Sequence, residues 1–187
     1  MPLPEGSSDA FCEAVDLFDS RVAGTAPDSW SKPSPCEGWA ARDVLDHLVR
    51  NLRGLRAAVE GGDFLAAAGQ PVEGDLLEVW DQERRAAPAT VGQAALAETL
   101  VVGGNRVPPV VLVDGLMRDL VIHTWDLARA VGGDERLPDD LVAAATRAMA
   151  MVTAEARGPG RYGHEVPAPP GADAQARLLA LSGRSPS

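Results

Sequence analysis

The sequence predicts an all-α protein: a four-helix bundle with a long connection between the second and third helices and a short C-terminal extension. Three observations carry that expectation. Four stretches repeat apolar residues at helical spacing. Segments rich in Pro, Gly and Ser separate them. The only β-prone pieces lie in one short region, ETLVVGGNRVPPV, residues 98–110.

Phe11, Val15, Phe18 and Val22 mark the first helix, from Ser8 to about Ala23, with Ser7 or Ser8 as its cap. APDSWSKPSPCEGW, 26–39, is too rich in proline and glycine to be helical. The second helix runs from about Ala40 to Glu60, with Asp43 in its first turn and Gly61-Gly62 as its stop. Gly54 weakens its interior.

Residues 63–108 form the long connection. Within it, 73–87 reads as a short helix, and Pro88 and Gly92 are expected to break the chain. Two short strands around Gly103-Gly104-Asn105 suggest a hairpin. The third main helix spans about Pro109 to Val131, before Gly132-Gly133, and the fourth spans 137–157. A Pro/Gly-rich crossing segment then leads to a short helix from about Ala172 to Leu181. Residues 1–187 are read as one domain, with 1–7 and 183–187 as frayed ends.

The net charge of -10 disfavours phosphate backbones and anionic lipid, so neither nucleic acid nor membrane is expected as a partner. A small-molecule substrate is expected instead, bound by a monomer or homodimer. MPLPEGSSDAFCEAV at the N-terminus has no basic region followed by an apolar run, so the expected location is cytoplasmic. Cys12 and Cys36 read as reduced and packed. Lys32 is the sole lysine among many arginines, which together with abundant Ala, Gly and Pro suggests a GC-rich genome.

Chemistry concentrates in RDLVIHTWDLARAV, 118–131. At about 100° per residue, Leu116, Leu120, Leu127 and Val131 form one stripe, and Asp119, His123 and Asp126 border it. Arg118, Ile122, Trp125 and Arg129 occupy the opposite face. Asp119 and His123 are one turn apart, so their side chains can converge. In the second helix His47 and Asn51 edge the stripe of Val44, Leu48, Leu55 and Val59.

Burying these groups uncompensated costs several kcal/mol. A divalent cation held by His47, Asp119 and His123 offers compensation. Two nitrogens and a carboxylate suit zinc, and also nickel, iron or manganese. Three protein ligands leave a coordination position open, the pattern of a catalytic metal. An Asp–His hydrogen bond without metal satisfies the same spacing. No catalytic residue beyond the metal is assigned. Asp126 is read as supporting the ligands or as pairing with Arg129 or an arginine of another helix. Trp39 and Trp125, adjacent to the motifs, are candidate pocket walls. His164, in a Pro/Gly-rich loop, reads as surface. Cys36 could be a nucleophile near a helix start, but packing is the favoured reading.

WSKPSPCEGWAARDVLDHL (30–48) and RDLVIHTWDLARAVG (118–132) resemble actinobacterial DinB-like proteins related to the metal-binding domain of mycothiol-dependent maleylpyruvate isomerase. The ending VPAPPGADAQARLLALSGRSP is similar to the tails of many members. The resemblance implies a DinB-like four-helix bundle that holds a divalent metal through His47, Asp119 and His123. The isomerase has Glu where this chain has Asp119, one methylene shorter. Members often carry Thr where this chain has Ala40, at a cost of ~1 kcal/mol in cap stability. The resemblance further implies mycothiol as a cosubstrate in a transferase or isomerase reaction on a small electrophile. A metal-dependent hydrolase and a non-catalytic, metal-stabilised bundle are the alternatives.

Overall fold

The structure is a computed structural model that describes residues 3–152 and 163–185. Its helices are α1 (Ser7–Ala23), α2 (Ala41–Val59), α3 (Phe64–Ala68), α4 (Leu76–Leu96), α5 (Pro109–Val131), α6 (Asp139–Met149) and α7 (Ala174–Leu181). One antiparallel hairpin, β1 (Leu100–Val102) and β2 (Asn105–Val107), joins α4 to α5. The fold is all-α apart from this ribbon. No helix among the described residues is long and apolar enough to cross a membrane.

The bundle consists of α1, α2, α4 and α5. Each of α1 and α2 packs against both α4 and α5. Phe11 and Phe18 from α1, Leu45, Leu48 and Leu55 from α2, Trp80 from α4 and Leu120 from α5 fill its core. The Phe18 and Trp80 rings meet edge-on at 5.0 Å, and the indole N–H donates to Asp19 Oδ1 at 2.9 Å. These contacts bury large apolar surfaces while satisfying the one polar atom of the indole.

This membership corrects the sequence reading of the connection. α4 runs unbroken through Pro88 and Gly92. Its buried residues Trp80, Glu83, Ala87, Val91 and Ala94 keep helical spacing across the proline. Burial of that stripe outweighs one lost backbone hydrogen bond. The long connection therefore contributes a bundle helix, and α6 packs outside, against α5. α6 also ends earlier than expected, at Met149, while 153–157 of the predicted helix lie outside the described residues.

α6 explains why α5 is buried nearly all round. Ile122 and Trp125, on the face opposite the site, are 0% and 2% exposed. Arg118 on that face donates to the Ala148 carbonyl at 3.0 Å. The Arg129 guanidinium lies over the Trp125 ring, 5.1 Å from its centroid.

Local chemistry accounts for several boundaries. α1 starts after Gly6, at φ 82°, without a side-chain cap; neither Ser7 nor Ser8 serves as the cap residue. At α2, Ala40 offers no cap, and its N–H instead donates to Asp43 Oδ2 at 2.8 Å. Gly132, at φ 76°, ends α5 in the left-handed conformation that glycine adopts at least cost. In the hairpin, Gly103 and Gly104 both have positive φ, as a two-residue turn of type I′ requires. Gly54 allows α3 to approach α2: a Cβ there would lie 2.8 Å from Phe64 Cδ2.

Candidate metal centre

The candidate site is assembled from α2, α5, the loop before α2 and the segment after α7. On α2, His47 is half-buried and Asn51 lies one turn further on. On α5, Asp119 and His123 are 9% and 6% exposed, and Asp126 is fully buried. The irregular loop folds back on itself before α2. Ser34 N–H donates to the Trp39 carbonyl at 2.8 Å, and Trp39 N–H to the Cys36 carbonyl at 3.0 Å. This turn presents both Cys36 and Trp39 to the site.

Asp119 is the meeting point. Its Oδ2 lies 2.7 Å from His47 Nε2 and accepts from Asn51 Nδ2 at 2.8 Å. Its Oδ1 stands 3.6 Å from His123 Nε2. The imidazole rings of His47 and His123 are 5.0 Å apart, nearly perpendicular. Trp39 covers both, 5.2 Å from His47 and stacked 5.9 Å from His123.

A donor atom from each of His47, Asp119 and His123 lies within 4.8 Å of the other two, so the group could hold a metal ion. The arrangement around His123 fits that role. Its Nδ1 is 2.8 Å from Asp126 Oδ2 and carries the proton of that bond. In the neutral ring Nε2 is then the acceptor. It faces Asp119 Oδ1, another acceptor, across a gap that a cation can bridge. An Asp-supported His beside an open donor set is common at metal sites.

The protonation balance agrees. Burial opposes the charged form of Asp119, but the charges of His123 and His47 and the His47 hydrogen bond hold its carboxyl far below the usual range. Burial also opposes charge on His47, yet the Asp119 charge and hydrogen bond outweigh it and raise its pKa above the ordinary value. A metal-free site thus places a proton where a ligand bond would form.

A second group, Cys36, His123 and Asp126, also lies within 4.8 Å. There the positive charge is already supplied by Arg184. Its Nη2 and Nε donate to Asp126 at 2.7 and 3.2 Å, and Nη2 reaches Cys36 Sγ at 3.5 Å. Burial opposes charge on Asp126, but the His123 bond and the Arg184 charge bring its pKa to about 2. The Cys36 thiol donates to Asp126 Oδ2 at 3.3 Å. Burial, and then the Asp126 charge, push it up to about 12. The geometry therefore favours packing over an activated nucleophile.

Asn51 lies beside the candidate ligands and donates to Asp119 Oδ2. The arginine facing Asp126 was not legible in the sequence: it is Arg184, in a segment read as a frayed end, whereas Arg129 pairs with Glu135 at 2.9 Å. His164 is exposed.

The family model of the mycothiol maleylpyruvate isomerase N-terminal domain matches residues 11–128. The chain belongs to that family. The match to the mycothiol maleylpyruvate isomerase N-terminal domain spans His47, Asn51, Asp119, His123 and Asp126, and leaves Arg184 outside. Two relatives come from Mycobacterium tuberculosis: Uncharacterized protein MT0763 of strain CDC 1551 / Oshkosh and Uncharacterized protein Rv0738 of strain ATCC 25618 / H37Rv. Each is 29% identical over 181 residues, which cover 92% of this chain and 94% of the relative. No solved structure matches the chain.

Proposed function

We propose that this chain binds a divalent cation, zinc foremost, through His47 Nε2, an Asp119 carboxylate oxygen and His123 Nε2. In this reading it uses the cation in a thiol-dependent S-transfer or isomerisation of a small electrophile. The observation that carries the reading is the convergence of these three donors from α2 and α5 around a buried carboxylate. Membership of the mycothiol maleylpyruvate isomerase N-terminal domain family makes mycothiol the thiol of choice. Nickel, iron and manganese suit the same donors.

A divalent cation in this position would supply Lewis acidity, lowering the pKa of a thiol brought to its open coordination position. The chain's residues do the rest. Asp126 holds the proton on His123 Nδ1, so that Nε2 presents a lone pair. Asn51 holds Asp119 Oδ2 and fixes the carboxylate plane. Trp39 covers both imidazoles and limits the approach of water. Cys36 stays protonated and leaves the nucleophile role to the incoming thiol.

Turnover of a panel of small electrophiles by the zinc-loaded protein, with and without mycothiol, tests this reading. It expects turnover that requires both metal and thiol and is lost in His123→Ala. Metal-dependent turnover without a thiol would replace it with hydrolysis. Tight metal binding with no turnover of any electrophile would replace it with a structural metal.

A further inference from the structure

We infer that Arg184, delivered by the segment after α7, is a positioning residue of the metal centre: by clamping Asp126 it holds His123 in its ligating orientation. The inference rests on the metal reading above and adds a dependence on the C-terminal segment, which lies outside the family match.

The contacts form an unbroken chain. Arg184 donates two hydrogen bonds to Asp126, one to each carboxylate oxygen, and Asp126 accepts from His123 Nδ1 at 2.8 Å. A forked guanidinium fixes a carboxylate in plane as well as in position. Asp126 is fully buried on α5, and the Arg184 side chain is only 11% exposed. The carboxylate thus has little water to hold it in place of the guanidinium. A supporting carboxylate sets both the tautomer and the angle of a ligating imidazole.

The segment is built to deliver this side chain. Arg184 N–H donates to the Leu179 carbonyl at 2.9 Å, and its Nη1 donates back to the Ser182 carbonyl at 2.9 Å. Between them, Gly183 sits at φ 85°, packed so closely that a Cβ would lie 2.9 Å from Gly163 Cα and the His164 carbonyl oxygen. A glycine with that φ and that contact turns the chain inward. α7 itself is tied to the segment that precedes α6 by Gln175, which accepts from Leu137 N–H and donates to the Glu135 carbonyl.

The test is zinc affinity of the full chain, measured by competition with a chromophoric chelator. The cobalt(II) absorption spectrum and the melting of the metal-free protein are recorded alongside it. Arg184→Gln should weaken zinc binding by about 10–100-fold and alter the cobalt bands. Arg184→Lys, which keeps the charge but not the fork, should fall between. Gln175→Ala loosens α7 without touching Arg184, and should lower melting while leaving zinc affinity within about threefold. Zinc affinity within threefold of the parent for Arg184→Gln overturns the inference. So does an equal loss in Gln175→Ala, which would reduce the effect to general destabilisation. Should Arg184→Gln fail to fold, Arg184→Lys decides, and parental affinity with unchanged cobalt bands refutes the role. A parent chain that binds no zinc defeats the metal reading itself, a separate outcome.

Discussion

His123 and Asp126 share a 2.8 Å hydrogen bond through Nδ1, which turns the other ring nitrogen of His123 toward Asp119. One helix thereby provides a candidate metal ligand and its support within a single turn. The same Asp126 is the only carboxylate that Arg184 contacts among the described hydrogen bonds.

Removing Asp126 should therefore do more than loosen one histidine. In Asp126→Ala the Arg184 guanidinium stays largely buried without its counter-ion. Loss of one partner from such a pair costs about 3–5 kcal/mol. Denaturant unfolding of the metal-free protein should register a loss of that order. A change below about 1 kcal/mol would mean that Arg184 simply swings into solvent.

Metal affinity should fall with acid. The folded pKa of His47 is raised above its ordinary value, so in the metal-free chain the protonated His47–Asp119 pair adds stability below about pH 6.5. That contribution fades as pH rises through the folded value. A cation must displace the same proton, so zinc affinity should weaken by about tenfold per pH unit below the folded pKa. Asp119 remains ionised throughout this window. Zinc titrations between about pH 5.5 and 8 check the slope; affinity independent of pH would contradict a bond through His47 Nε2.

Gly54→Ala should destabilise although alanine is the better helix former by about 1 kcal/mol. The new Cβ would meet the Phe64 ring at 2.8 Å and the Phe64 carbonyl oxygen at 3.0 Å, and the backbone atom cannot step aside like a side-chain tip. A net loss of about 1–3 kcal/mol in thermal or denaturant unfolding is expected. Stabilisation would contradict the close approach of α3 to α2.

Pro88→Ala should have the opposite sign. Pro88 is exposed in the interior of α4 and gives the helix no N–H at that position. Replacing it should raise stability by about 1–3 kcal/mol. Lower stability would show that Pro88 sets a bend on which the packing of α4 depends.

What the sequence could and could not disclose follows from the range of each interaction. α2, α5 and the hairpin were legible because their terminating or turn glycines and their apolar patterns are local. The convergence of His47, Asp119 and His123 was legible because each borders the core stripe of its own helix. Pro88 misled because a local breaker rule competed with burial along α4, which becomes visible only once α1 and α2 are in place. The arrangement of α6 against the second face of α5 had no local signature either. Arg184 was out of reach for the same reason: 58 residues separate it from Asp126, and neither periodicity nor spacing links them. Cys36 reaches the site through an irregular turn, whose path no repeating pattern specifies.

In the proposed function, imidazoles from α2 and α5 share one cation with Asp119. Elemental analysis of protein purified without added metal, beside His123→Ala prepared identically, tests this most directly. About one divalent metal per chain is expected in the parent and near none in the variant. Equal metal content in the two proteins, or none in the parent even after incubation with zinc, would contradict it.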